Sequence, residues 1–143
     1  MPVRAWVRRF PRDIAALADL FHFAHDFAAE EGVEAGPSHA LDLVLEELFT
    51  NLVRHNRDGR HDIEVELERG NGTLRLVLRD FDVAPFDPTT VPSPDLTLPL
   101  EEQSRGGRGI HLVRQLAREF RYGHHDGVSA ITVALPLTPG QEH

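Results

Sequence analysis

The chain has 143 residues, no cysteine, a formal net charge of −8, and 41% hydrophobic against 27% charged residues, a balance that suits one soluble domain, spanning 1–143, with a real core. The missing thiols exclude disulfides, thiolate metal sites and cysteine nucleophiles. The acidic charge argues against direct binding to nucleic acid. No apolar run approaches the roughly 20 residues that span a membrane as a helix, and the basic start MPVRAWVRRFPRD lacks the apolar stretch of a secretory signal, so a cytoplasmic protein is expected.

Residues 3–10 alternate loosely and predict a first strand, at a sheet edge. From Asp13, a candidate N-cap, Ile14, Leu17, Leu20, Phe21, Ala24, Phe27 and Ala28 recur at helical spacing until Gly32. Pro37-Ser38 opens a second helix with the stripe Leu41, Val44, Leu45, Leu48 and Leu52, stopping near residues 56–59. Ile63, Val65 and Leu67, a turn at Gly70-Asn71-Gly72, then Leu74, Leu76 and Leu78 predict a β-hairpin. Pro85, Pro88, Pro92, Pro94 and Pro99 then mark a long lid or binding loop, placed at about 88–109. Past it, Ile110, Leu112, Val113, Leu116, Ala117 and Phe120 resume helical spacing. His124-His125 reads as a solvated turn, residues 128–137 as a last strand and 138–143 as a frayed tail. The order β-α-α-β-β-lid-α-β predicts an α+β fold: a two-layer α/β sandwich whose mixed, mostly antiparallel sheet carries helices on one face.

Three stretches hold chemistry that packing alone does not require. In LVLEELFTNLVRHN, with Leu48 at the centre of the stripe, Asn51 and Glu47 fall on one edge of the core with Arg54 just beyond, while Glu46 faces water. Partial desolvation there can tune Glu47 as a base, and the Asn51 amide oxygen is a hard ligand suited to Mg²⁺; a solvated helix flank would explain the pair equally. In LVLRDFDVAPFDP, Asp80 ends a strand, where a carboxylate can accept a hydrogen bond from an exocyclic amine or simply serve the turn. In RGGRGIHLV, glycines run into a helix, where free backbone N–H groups can meet phosphate or a hinge can form. That cluster lacks the G-K-[ST] ending of a Walker A loop.

Taken in order, these stretches resemble the histidine-kinase-like ATPase superfamily, whose nucleotide site is the Bergerat fold. Within it, the chain is most similar to the anti-sigma-factor serine kinases of the RsbW type. The resemblance runs from about residue 8 to residue 137, and FDP at 86–88, PDLTLPLEE at 94–102 and GGRGIHLVRQL at 106–116 carry it most specifically. That no dimerisation helix precedes these stretches points to the stand-alone regulators.

The resemblance implies ATP and Mg²⁺ as ligands. Glu47 would be the catalytic base, Asn51 would hold the Mg²⁺, His55 would lie near the phosphates and Asp80 would bind the adenine amine. Gly106, Gly107, Arg108, Gly109 and Ile110 would wrap the phosphates, and Thr132 would help at the adenine end. It implies a serine-protein kinase acting on a STAS-type anti-anti-sigma partner, with a sigma factor as a further partner. A homodimer through the first strand and helix is the corresponding assembly, although Trp6 and Phe10 there suit a core equally. The sequence departs from the family at Asp82 and Ala84, which stand where glycines are usual, and at Arg108, where an apolar residue is usual. Asp82 tolerates a positive φ but adds a carboxylate beside the nucleotide, which motivates the alternative of a non-catalytic nucleotide-binding adaptor.

Overall fold

A computed structural model describes residues 4–56, 59–90 and 105–137, with backbone alone at 105–108. The chain opens with strand β1 (Ala5–Phe10), followed by a single 3₁₀ turn, Ile14–Ala16. Asp13 caps that turn, its carboxylate accepting from the Ala15 N–H at 3.0 Å. Helices α1 (Leu17–Glu30) and α2 (Ala35–His55) come next. The hairpin of β2 (Ile63–Arg69) and β3 (Thr73–Asp80) follows them. Beyond the 3₁₀ turn Pro88–Thr90 lie α3 (Arg105–Leu116), β4 (Glu119–His125) and β5 (Val128–Pro136).

The strands form one sheet in the order β1-β2-β3-β5-β4, and every neighbouring pair is antiparallel. Alternation then assigns the faces. Ile63, Val65 and Leu67 of β2, Leu74, Leu76 and Leu78 of β3, and Ile131, Val133 and Leu135 of β5 point inward. They meet Leu20, Ala24 and Phe27 of α1, Leu41, Val44, Leu45, Leu48, Phe49 and Leu52 of α2, and Ile110 and Val113 of α3 in one continuous core. The other face is charged: Arg79 bridges Glu64 and Glu66, and Arg9 pairs with Glu64. A sheet with helices on one face and a polar ladder on the other is therefore built, as the periodicities predict. Among the described residues no helix is long and apolar enough to cross a membrane.

Phe10 is fully buried, and Trp6 packs edge-on against Phe27 while its indole donates to Glu31 at 3.1 Å. The aromatic residues of β1 therefore belong to the core side of this chain.

One element differs from expectation. The third helix ends at Leu116, so Phe120 lies on a strand, and His124 and His125 close that strand instead of turning. Phe120, Tyr122 and His124 alternate on the helix-facing side, a period of two that the preceding helical spacing obscures. The turn is Asp126-Gly127, with φ of 52° and 79°, the left-handed pair of a two-residue hairpin whose twist matches the strands. Replacing Gly127 with alanine puts a Cβ into that left-handed geometry. We expect Gly127→Ala to lower unfolding stability by about 1–2 kcal/mol in urea titrations, and an unchanged midpoint would contradict this turn assignment.

Candidate functional site

Packing the α2 stripe into the sheet fixes the rotation of the helix. Glu46 is left exposed, Glu47 is half-buried at the core edge, and Asn51 is buried one turn on. Burial holds the Glu47 carboxyl above its ordinary value of 4.5; the Arg54 guanidinium and a hydrogen bond from Asn51 pull it back down, and nearby Glu46 pushes up slightly. Glu47 and Gly109, near the start of α3, are in contact: a Cβ at Gly109 would fall on the Glu47 carboxyl group. A side chain there would push the Glu47 carboxyl out of its present position, so the glycine lets the start of α3 lie against the acid.

The end of β3 holds the second acid. Asp80 is completely buried, paired in register with Ser129 of β5. Its carboxylate accepts from both terminal nitrogens of Arg12, 3.1 Å at the longer contact, and from the Asn56 amide at 2.8 Å. Asn56 caps the end of α2, so the helix that carries Glu47 also reaches Asp80.

At the end of α2 lies a cavity of about 430 Å³, lined by Arg54, His55 and Asn56, by Gly59, and by Asp82, Val83 and Ala84 after β3; Glu47, Asn51 and Asp80 are not among its lining residues, although Asn56, which is, donates to Asp80. His55 stacks on Phe86 with ring centroids 4.0 Å apart. The Tyr122 hydroxyl accepts from the Phe86 N–H at 3.0 Å and lies 3.1 Å from the Ser129 hydroxyl. His124 donates to the Val83 carbonyl at 2.8 Å. The missed strand β4 therefore braces the loop that forms one wall of the cavity. Asp82 takes the left-handed φ of 54° anticipated for it, and its carboxylate turns to His61 at 2.6 Å.

Gly106, Gly107, Arg108 and Gly109 all fall in the first turns of α3, and Gly106 and Gly107 lie in its opening turn, where backbone N–H groups lack helical partners. The Arg108 side chain lies outside the described residues, as does most of the predicted lid. Ile110 faces the core, so only its backbone is available to a ligand. Thr132 is not brought to the cavity. It pairs with Val77 and projects from the outer sheet face, beside Arg121 and Ala130, because an odd offset from Ser129 reverses the side. Ser129 is the residue opposite Asp80, and only the β3–β5 register reveals it.

The Glu47 carboxylate and the Asn51 amide oxygen, neighbours on α2, are hard oxygen donors of the kind that Mg²⁺ carried by a polyphosphate prefers. Among the described residues no group of three or more His, Cys, Asp or Glu side chains could hold a metal on its own.

Residues 10–135 match the family profile of the histidine kinase-like ATPase domain. The serine/threonine-protein kinase BtrW of Bordetella bronchiseptica is 26% identical over 127 residues, which cover 85% of this chain and 86% of BtrW. A crystal structure of the RsbU and RsbW domains of a Mycobacterium tuberculosis protein matches with a TM-score of 0.65 and 18% identity, over 94% of this chain but 33% of that one. This chain thus spans about a third of that relative's length. The SiaB–SiaC complex of Pseudomonas aeruginosa matches with a TM-score of 0.62 and 15% identity, over 91% of this chain and 88% of the other. Both structures share its fold.

The raised pKa of Glu47 predicts a pH signature in stability. Folding disfavours the charged form, so stability falls as pH rises from the unfolded value of 4.5 through the folded one. Glu47→Gln keeps the shape without that charge. We expect the variant to melt above the wild type at pH 8 and level with it at pH 4; a constant gap across that range would contradict the shift.

Proposed function

Because the chain belongs to the histidine kinase-like ATPase family, we propose that it is an ATP-dependent serine-protein kinase that phosphorylates a STAS-type anti-anti-sigma partner and, when that partner is modified, engages a sigma factor. The observation that carries the reading is Glu47, half-buried with a raised pKa, next to Asn51 on α2 and against the glycine start of α3. The kinase name of BtrW and the RsbW domain among the structural matches support it. A cytoplasmic location follows from the proposed partners.

The residues divide the work of phosphoryl transfer, which is mainly positioning and charge neutralisation. Asn51 would hold Mg²⁺, which supplies neutralisation of the phosphate oxygens. The free N–H groups at the start of α3 would donate to the same phosphates. Glu47 takes the proton from the acceptor serine as its oxygen bonds to the γ-phosphorus. The bond from that phosphorus to the bridging oxygen breaks, and ADP leaves. The raised pKa makes Glu47 a stronger base than an ordinary exposed carboxylate. Since Gly109 lies on the Glu47 carboxyl, the start of α3 must shift to admit the serine.

A second reading, a nucleotide-binding adaptor that exchanges partners without modifying them, is favoured by Asp82 at the position where the family has glycine. The two readings separate on one assay. With γ-labelled ATP and a STAS-domain protein as acceptor, the kinase labels a partner serine, and Glu47→Gln slows transfer about 10²–10⁴-fold. No label, with Glu47→Gln behaving as the wild type in partner exchange, would sink the kinase and leave the adaptor.

The rate should also titrate with Glu47. Activity rises with pH through an acid limb lying above 4.5, because the base works only when ionised. Arg54→Ala removes the cation that lowers this pKa and should move the limb to still higher pH. A limb that shifts down, or stays in place, would contradict the assignment of Glu47.

A further inference from the structure

The guanidinium that closes on Asp80 is not explained by the nucleotide reading, on which the following rests. Arg12 sits in the tight turn between β1 and α1, set by the Asp13 N–H donating to the Pro11 carbonyl at 2.8 Å. Its side chain is 8% exposed and reaches a carboxylate that is 0% exposed. One terminal nitrogen also donates to the His61 carbonyl at 3.1 Å. Gly59 makes room for it, since a Cβ there would overlap the guanidinium. With Asn56 added, three donor contacts converge on the Asp80 carboxylate, which accommodates about four. An incoming base amine finds that acid covered.

We propose that Arg12 is an intramolecular competitor for Asp80, a latch on the base end of the nucleotide site that must swing out before an adenine amine can be read. Arg12 Nε is buried and has no hydrogen-bond partner among the described residues, so the guanidinium is not fully satisfied where it sits. Because Arg12 lies beside β1, release of the latch is mechanically linked to the β1–α1 turn, and a ligand bound there would alter nucleotide affinity.

A latch lowers apparent affinity by the fraction of open molecules; if about one in ten is open, Kd is about tenfold weaker than for the open form. Calorimetry with ATP and with inosine triphosphate, which lacks the exocyclic amine, tests this on the full chain. Arg12→Met, keeping the stem, should tighten ATP about tenfold and leave inosine triphosphate unchanged. Equal ATP affinity in both proteins, or weaker binding in the variant, overturns the latch while the nucleotide reading stands. No ATP binding by either protein overturns both.

A second readout needs no variant and guards against an Arg12→Met protein that fails to fold. Phenylglyoxal modification of the wild type, located by mass spectrometry, should spare Arg12 in the free protein and label it at saturating ATP. Protection that persists or deepens with ATP would show Arg12 to be a fixed part of the pocket and overturn the proposal.

Discussion

The apolar stripe of α2 pressed into the sheet is the constraint from which the site follows. Leu41, Val44, Leu45, Leu48, Phe49 and Leu52 are all buried, so the helix has one permitted rotation. That rotation separates two adjacent glutamates, leaving Glu46 in water and Glu47 at the core edge. It also points Asn51 inward and delivers Asn56, at the helix end, to Asp80. A packing requirement thus sets both the basicity of one acid and the surroundings of another.

The two acids are prepared differently. Glu47 is desolvated and only partly compensated, so it favours its proton. Asp80 is buried more deeply yet surrounded by donors, as a buried charge must be to persist. Both are covered by parts of the chain distant in sequence, Gly109 over the first and Arg12 over the second. The cavity at the end of α2 is walled by a loop that Tyr122 and His124 hold from strand β4. Uncovering either acid therefore means moving a discrete element, the start of α3 or the β1–α1 turn.

How much of this could be read from the sequence depends on the range of the interaction. Local periodicity located α1, α2 and the β2–β3 hairpin, and the helical projection chose Glu47 over Glu46 without any coordinates. It failed where two periods overlap: Leu116, Ala117 and Phe120 fit a helix, although Phe120, Tyr122 and His124 also fit a strand. The Asp126-Gly127 pair was the signal that should have decided for the strand. The sequence names Thr132 through the family resemblance alone, and that Ser129 stands opposite Asp80 while Thr132 faces the other side follows only from the β3–β5 register, a tertiary fact. The Arg12–Asp80 pair spans 68 residues, and no local pattern announces it.

The central proposal is that ATP binds at the end of α2 with its base at Asp80. Calorimetric titration of Mg-ATP into the wild type and into Asp80→Asn, with the fold of each checked by circular dichroism, tests it most directly. The account predicts saturable one-to-one binding by the wild type and loss of most of that affinity in the variant, whose neutral amide offers one acceptor oxygen in place of a charged pair. Equal binding by the two proteins, or none by a folded wild type, would contradict it.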